Sequence, residues 1–168
     1  ESSSIGDMQL KNKIVMAPMG SNFASEDGHA SERLKAYYEE RAKGGVGLII
    51  LETSAVSWPA GSSMPNMIGY SEDRFIPDLQ DLTSRVHQYG AKIAAQLNHS
   101  GKIAKEDVVA GREIPVPSIP KMHPSDMFGL LTEAEIMNFI KAAGPDGKGP
   151  RYHELTTDEI KDEIEHFV

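Results

Sequence analysis

Three short stretches of this chain carry side chains suited to chemistry, and each follows an apolar run. Ala17-Pro18-Met19-Gly20 offers backbone groups and one soft thioether among small residues, which suits a flat apolar ligand. Glu52-Thr53-Ser54-Ala55 sets a carboxylate and hydroxyls at the end of the longest apolar run. Gln96-Leu97-Asn98-His99-Ser100-Gly101-Lys102 opens with an amide, a group that donates and accepts hydrogen bonds at once. Together they describe a ligand with an apolar face and a hydrogen-bonding edge. Other chemistries find less support. Gly44, Gly45 and Gly47 do not fit G-x-G-x-x-G and precede an apolar run, so they read as a helix cap and not a phosphate loop. The six histidines show no H-E-x-x-H or other tight ligand spacing and Cys is absent, so no metal site is expected.

The elements that would position these stretches alternate. Ile14 to Ala17 is a short apolar run ended by Pro18 and predicts a buried strand. Ser31 can cap a helix through Lys43, with Leu34, Tyr37, Tyr38 and Arg41 on one face, closed by Gly44-Gly45. Val46 to Glu52 is continuously apolar before its terminal carboxylate, the mark of a parallel strand covered on both faces. A second helix is expected from Ile76 to Tyr89, striped by Leu79, Leu82, Val86 and Tyr89 and ended by Gly90. Lys92 to Leu97 predicts a third strand, followed by a loop rich in proline. A third helix fits Leu131 to Ala143, with Thr132 and Glu135 as a capping box. Thr156 and Glu159 form another such box before a last helix. This order is that of βαβ units, whose ligand sites lie at the carboxyl ends of the strands. All three chemical stretches fall there. An open sheet and a closed barrel share the pattern.

The bulk numbers bound the reading. The chain has 168 residues, a net charge of -8, 39% hydrophobic and 25% charged residues. Such composition is ordinary for a globular domain. The negative balance argues against a nucleic-acid partner, and no apolar run approaches the ~20 residues of a membrane helix. A cytoplasmic location is the default expectation. A complete (β/α)8 barrel takes about 250 residues, so a barrel reading makes this a piece of one.

Residue-level resemblance goes further. KNKIVMAPMG (residues 11–20), ERAKGGVGLIILETSAV (40–56) and KIAAQLNHSGK (92–102) resemble, in order and spacing, the first three strands of the old yellow enzyme family. The run from Met19 to Gly28 and the AKGGVGLII stretch look most like the branch of clostridial 2-enoate reductases and 2,4-dienoyl-CoA reductases. The resemblance implies an α/β fold, the N-terminal portion of a (β/α)8 TIM barrel, with an inserted helix after the third strand. Residues 1–168 would form one incomplete FMN-binding domain, with residues 126–150 as the insertion.

It also implies a function: an FMN-dependent, NAD(P)H-linked oxidoreductase that reduces activated C=C bonds of enoates or enoyl thioesters. A flavin dehydrogenase of amines or other small substrates on the same barrel is an alternative, as is a non-catalytic binding or assembly piece. The segment alone is not expected to be active. Partners would be a small-molecule substrate and NAD(P)H, with a homo-oligomer conceivable; the longer proteins of that branch add an iron–sulfur cluster and FAD. Ala17, Pro18, Met19 and Gly20 would pack on the isoalloxazine, Thr53 would lie against it, and Gln96 would bond its pyrimidine edge. The catalytic acid and the substrate-anchoring residues of the family come from later strands. Two positions depart from some relatives: Gly20 stands for a Cys and Asn22 for a Tyr that meets substrate. Each assignment has a plainer rival. Gln96 also reads as a partner of backbone groups, Met19 as core filler, Glu52 as a strand-end charge or an orienting carboxylate, and His99 reads first as a structural hydrogen-bond partner.

Overall fold

A computed structural model of the protein describes residues 1–119 and 150–168. The inserted helix expected at Leu131–Ala143 lies outside the described residues. The chain forms two compact units, Glu1–Trp58 with Pro65–Asn98, and Pro59–Met64 with His99–Val168.

The first unit opens with a hairpin, β1 (Ser3–Ile5) against β2 (Met8–Leu10). Its centre is a parallel sheet of β3 (Val15–Met16), β4 (Leu48–Ala55), β5 (Ile68–Gly69) and β6 (Lys92–Asn98). β4 lies in the middle, with β3, β5 and β6 all pairing to it in parallel. The carboxyl ends of β3, β4 and β6 therefore lie at one end of the sheet. Two helices cover one face. In α1 (Glu32–Lys43), the Ser31 hydroxyl accepts the Leu34 N–H as expected of the cap. Gly45, at φ 98°, takes the turn-reversing conformation that follows it. α2 (Ile76–His87) follows a 3-10 turn at Asp73–Phe75. Leu34, Tyr38 and Ala42 of α1 and Leu82 and Val86 of α2 pack on Ile49 and Leu51 of β4.

Three details depart from the sequence expectation. The first strand is only two residues long, and Ile14 and Val15 are exposed where burial was expected. A parallel strand is buried only when both its faces are covered, and among the described residues its outer side has no neighbour. The second strand begins at Leu48 and runs past Glu52 to Ala55, so the Glu52–Ala55 stretch belongs to the strand and not to the loop after it. Arg41 lies outside the buried stripe, stacked over the Tyr37 ring at 3.5 Å; Lys35 takes an inward place instead. Lys35 is buried and ties α1 to α2 through Asp78 at 2.7 Å and Asp81 at 3.0 Å. Burial alone would push its ammonium down, but the hydrogen bonds it donates to Asp78, Asp81 and Glu32 outweigh it and hold the group above the usual lysine range.

In the second unit a six-residue helix, α3 (Lys105–Ala110), precedes β7 (Glu113–Val116), which pairs in parallel with β8 (Arg151–Glu154). Ala104, Ile114 and Val116 form its small core. Asp107 is fully buried there, accepting from the Gly61 N–H at 2.8 Å and from Arg112 at 2.6 Å. The last helix, α4 (Thr157–Glu165), starts at the expected capping box of Thr156 and Glu159.

Candidate functional site

The carboxyl end of the parallel sheet gathers the predicted residues of the first unit. β3 leaves the sheet at Met16, which is level with Ile49 of β4. The chain then runs through Ala17, Pro18, Met19 and Gly20, and Ser21 returns to β4 by donating its N–H to Glu52 at 3.2 Å. The four-residue turn is therefore anchored at both ends beside the last half of β4. Met19 is 67% exposed, so it does not fill the core.

Thr53 and Gln96 are brought side by side. β4 and β6 keep one-to-one register from Leu48 to Ile50, then β4 inserts one extra residue before Thr53 pairs with Gln96. Leu51 and Glu52 together oppose Ala95. Such a bulge re-aims side chains, and strand ends next to sites are where bulges concentrate. Ile49 and Ile93, paired before the bulge, pack on the helices. By alternation along β6, Gln96 points to the opposite face, and its partner Thr53 shares that face. Without the extra residue, Glu52 would take Thr53's place there.

Glu52 instead turns inward and is fully buried. Its carboxylate accepts from the Ser21 N–H, from the Ser21 hydroxyl at 2.5 Å and from the Tyr38 hydroxyl at 3.0 Å. The Tyr38 oxygen in turn accepts the Glu52 N–H at 3.0 Å. Burial, and then the nearby Glu52 charge, push the Tyr38 phenol well above its ordinary range, so it stays a donor. The residue after Ser21 is also tied down. Asn22 adopts φ 58°, and its Oδ1 accepts the Asn66 N–H at 2.9 Å. Asparagine visits that left-handed region more readily than most residues. The position at which some relatives carry a substrate-meeting tyrosine is thus occupied here by a link between two loops.

His99 and Lys102, also singled out by sequence, belong to the second unit. His99 Nδ1 accepts the Gly101 N–H at 3.2 Å. Its ring lies against Gly61, where an added Cβ would come within 2.5 Å of it. This is the structural role expected of a lone loop histidine. Sequence reasoning misses Ser21, Tyr38 and Asn66 as members of the rim, and names Asn22 only as a departure from the tyrosine of some relatives. Tyr38 was visible only as one more member of a helix stripe; nothing in the order of residues marks its hydroxyl as the partner of Glu52.

Comparison with known proteins decides between an open sheet and a barrel. Residues 3–168 match the model of the NADH:flavin oxidoreductase / NADH oxidase family. The chain belongs to this family. It is 36% identical over 164 residues to an NADH oxidase of Thermoanaerobacter brockii, covering 98% of this chain and 22% of that protein. It is 36% identical over 104 residues to an N,N-dimethylglycine/sarcosine dehydrogenase of Chromohalobacter salexigens, covering 61% of this chain and 15% of that one. Among solved structures, the old yellow enzyme homologue of Zymomonas mobilis superposes with a TM-score of 0.75 at 28% identity, over 99% of this chain and 42% of its own. The fold is therefore an N-terminal portion of a (β/α)8 barrel, and the chain spans less than half the length of each of these relatives. Gln96 and Thr53 lie on the face turned away from α1 and α2, which in a barrel is the interior.

The residues present fit the FMN that this family implies. Among the described residues, no group pairs with the amide of Gln96, which is half-buried at the strand end. A free amide that can donate and accept suits the pyrimidine edge of a flavin, which presents both kinds of group. The exposed Met19 and the small residues around it suit the ring's apolar face.

Proposed function

We propose that the full-length protein is an FMN-dependent, NAD(P)H-linked reductase of activated C=C bonds, with enoates or enoyl thioesters as substrates. The observation that carries this reading is the cross-strand pair Thr53–Gln96 at the carboxyl end of the sheet, beside the anchored turn Ala17–Gly20. Bound FMN would supply hydride chemistry, which belongs to the cofactor; the protein binds, orients and tunes. On this reading Ala17, Pro18, Met19 and Gly20 pack against the flavin, Thr53 contacts it, and the Gln96 amide holds its pyrimidine edge. Substrate anchoring and the proton donor would come from later strands. The enoate and dienoyl branch further implies an iron–sulfur cluster and FAD in the complete protein, and a cysteine-rich motif downstream of Val168 would support that placement.

A second reading, a flavin dehydrogenase of small amines, is favoured by the likeness to the dimethylglycine/sarcosine dehydrogenase. One experiment separates them. The purified full-length protein should show a flavin absorbance that NAD(P)H bleaches and an enoate or enoyl thioester restores. Bleaching by a methylated amine, with no reoxidation by any enoate, would favour the second reading. A colourless protein that takes up no added FMN would refute both.

A further inference from the structure

We propose that Glu52, acting with Tyr38, is the positioning residue that fixes the flavin-facing turn Ala17–Gly20; this rests on the reading that the turn meets FMN. Glu52 is fully buried, and burying a carboxylate is costly unless its hydrogen bonds are all supplied. Here three donors supply them. Two belong to Ser21, the residue directly after the turn, and one to Tyr38, which is itself fully buried in α1.

The arrangement does more than close a core. The turn's first end is set by the ladder pairing of Met16 with Ile49, which any apolar strand could provide. Its second end has no ladder partner among the described strands; Ser21 is joined to the sheet through the Glu52 carboxylate. Only a carboxylate offers two oxygens that accept a backbone N–H and two hydroxyls together. A glutamine could accept on one oxygen, and its NH2 would have to donate to the two hydroxyls instead. The bulge completes the device, because the extra residue is what lets Glu52 turn toward Ser21 and Tyr38 while Thr53 stays beside Gln96. A single irregularity thus places one side chain against the ligand face and its neighbour behind the adjoining turn. Tyr38 locks the carboxylate from the far side, donating to its oxygen and accepting its backbone N–H. Burial, and then the Glu52 charge, raise the phenol well above its ordinary range, so Tyr38 stays a donor.

A carboxylate in this place also sets a negative charge behind the turn. Negative charge near a flavin disfavours the electron-rich reduced form. A purely structural Glu52 would affect melting alone, whereas a positioning Glu52 affects the flavin. In the full-length protein, Glu52→Gln, Glu52→Ala and Tyr38→Phe are compared with wild type for FMN dissociation constant, flavin midpoint potential, visible spectrum and thermal midpoint. Glu52→Ala should weaken FMN binding by roughly tenfold or more and shift the visible band, since the turn loses a buried anchor. Glu52→Gln keeps the size and one acceptor; it should bind FMN better than the alanine variant while raising the midpoint potential. Tyr38→Phe should move binding the same way by less. Lower melting with native FMN affinity, spectrum and potential in Glu52→Gln and Tyr38→Phe would overturn the inference, even should Glu52→Ala fail to fold. If these variants are native but Gln96→Ala still weakens FMN, the flavin reading stands and the positioning role falls. A wild type that binds no FMN removes both.

Discussion

Replacing Gln96 with alanine tests the flavin reading at the residue with the least other work to do. Its amide forms no hydrogen bond among the described residues, so its loss should leave the fold nearly intact. Neighbours argue the same way. Gln96 is paired through its backbone with Thr53, and that ladder survives truncation of the side chain. Strand propensity changes little at one half-buried position. The thermal midpoint of the full-length apoprotein should therefore stay close to wild type. Flavin binding should not. A side-chain amide that gives one bond and receives another contributes about 1–3 kcal/mol once partners on both sides are desolvated. At about 1.4 kcal/mol per tenfold, the FMN dissociation constant should rise between roughly fivefold and a hundredfold. Quenching of FMN fluorescence on titration into apoprotein measures this directly. Native affinity in the alanine variant would remove Gln96 from the site. A large drop in melting with unchanged affinity would show that its amide serves the protein instead, the plainer alternative drawn from sequence.

Gly28→Ala should destabilise the protein by about 2–4 kcal/mol, read as a lower thermal midpoint, because φ 86° disfavours a side chain and the new Cβ would lie 2.7 Å from the Trp58 ring. Gly20→Val should lower FMN loading with little change in melting, since Gly20 is exposed and a branched side chain would crowd whatever the turn faces; full loading and turnover would show that the turn does not meet the cofactor. Glu159 is held down to about 2, chiefly by the Thr156 N–H and then by the Thr156 hydroxyl and His153, against an ordinary value of 4.5. A depressed carboxyl adds stability that is complete above the unfolded value and is lost as pH falls. The protection factor of amides at the start of α4, with the intrinsic pH trend divided out, should therefore be full above 4.5 and fall as pH drops toward about 2; a pH-independent protection factor would show that the capping box contributes nothing there.

Much of the architecture was legible because it rests on local signals that the rest of the fold does not contradict. Ser31, Gly45, Gly90 and the Thr156–Glu159 box act within a few residues of themselves, and each appears where the sequence puts it. The strands β4 and β6 were legible as apolar runs, and the three chemical stretches follow from the rule for parallel sheets. What was not legible depends on pairing. The bulge leaves no trace in LIILETSA, because a strand buried on both faces has no alternation to break. The short first strand could not be seen as exposed, since an apolar run reads alike whether or not a neighbour covers it. In the proline-rich stretch, α3 has six residues and no capping side chain, too short for periodicity to show. β7 carries Pro115, which reads as loop in the sequence; proline is tolerated there because β7 pairs with β8 alone among the described strands, leaving one side where no N–H is required. The hairpin of β1 and β2 had one cue, Gly6-Asp7, with strands of three residues on either side.

The rim shows why backbone-rich stretches need buried polar anchors. Ala17, Pro18 and Gly20 have almost no side chain to pack, so nothing within the turn can hold its own shape. Its geometry must come from its ends. One end is a two-residue ladder, and the other is a carboxylate that reaches out of the core to Ser21. One residue further on, Asn22 trades an unfavourable φ for a bond to the Asn66 backbone, so the loop after the turn is fixed to a second loop as well. An apolar side chain at 52 could fill the same space at no desolvation cost, but it would take from the Ser21 N–H and the Ser21 and Tyr38 hydroxyls the acceptor they have here, and leave the turn tied to its second side only through Asn22. A drift of about 1 Å at a bound reactant can cost on the order of a hundredfold in rate. On the proposal that the turn meets the flavin, that penalty, beyond any loss of stability, would favour a charged group where a leucine needs no desolvation.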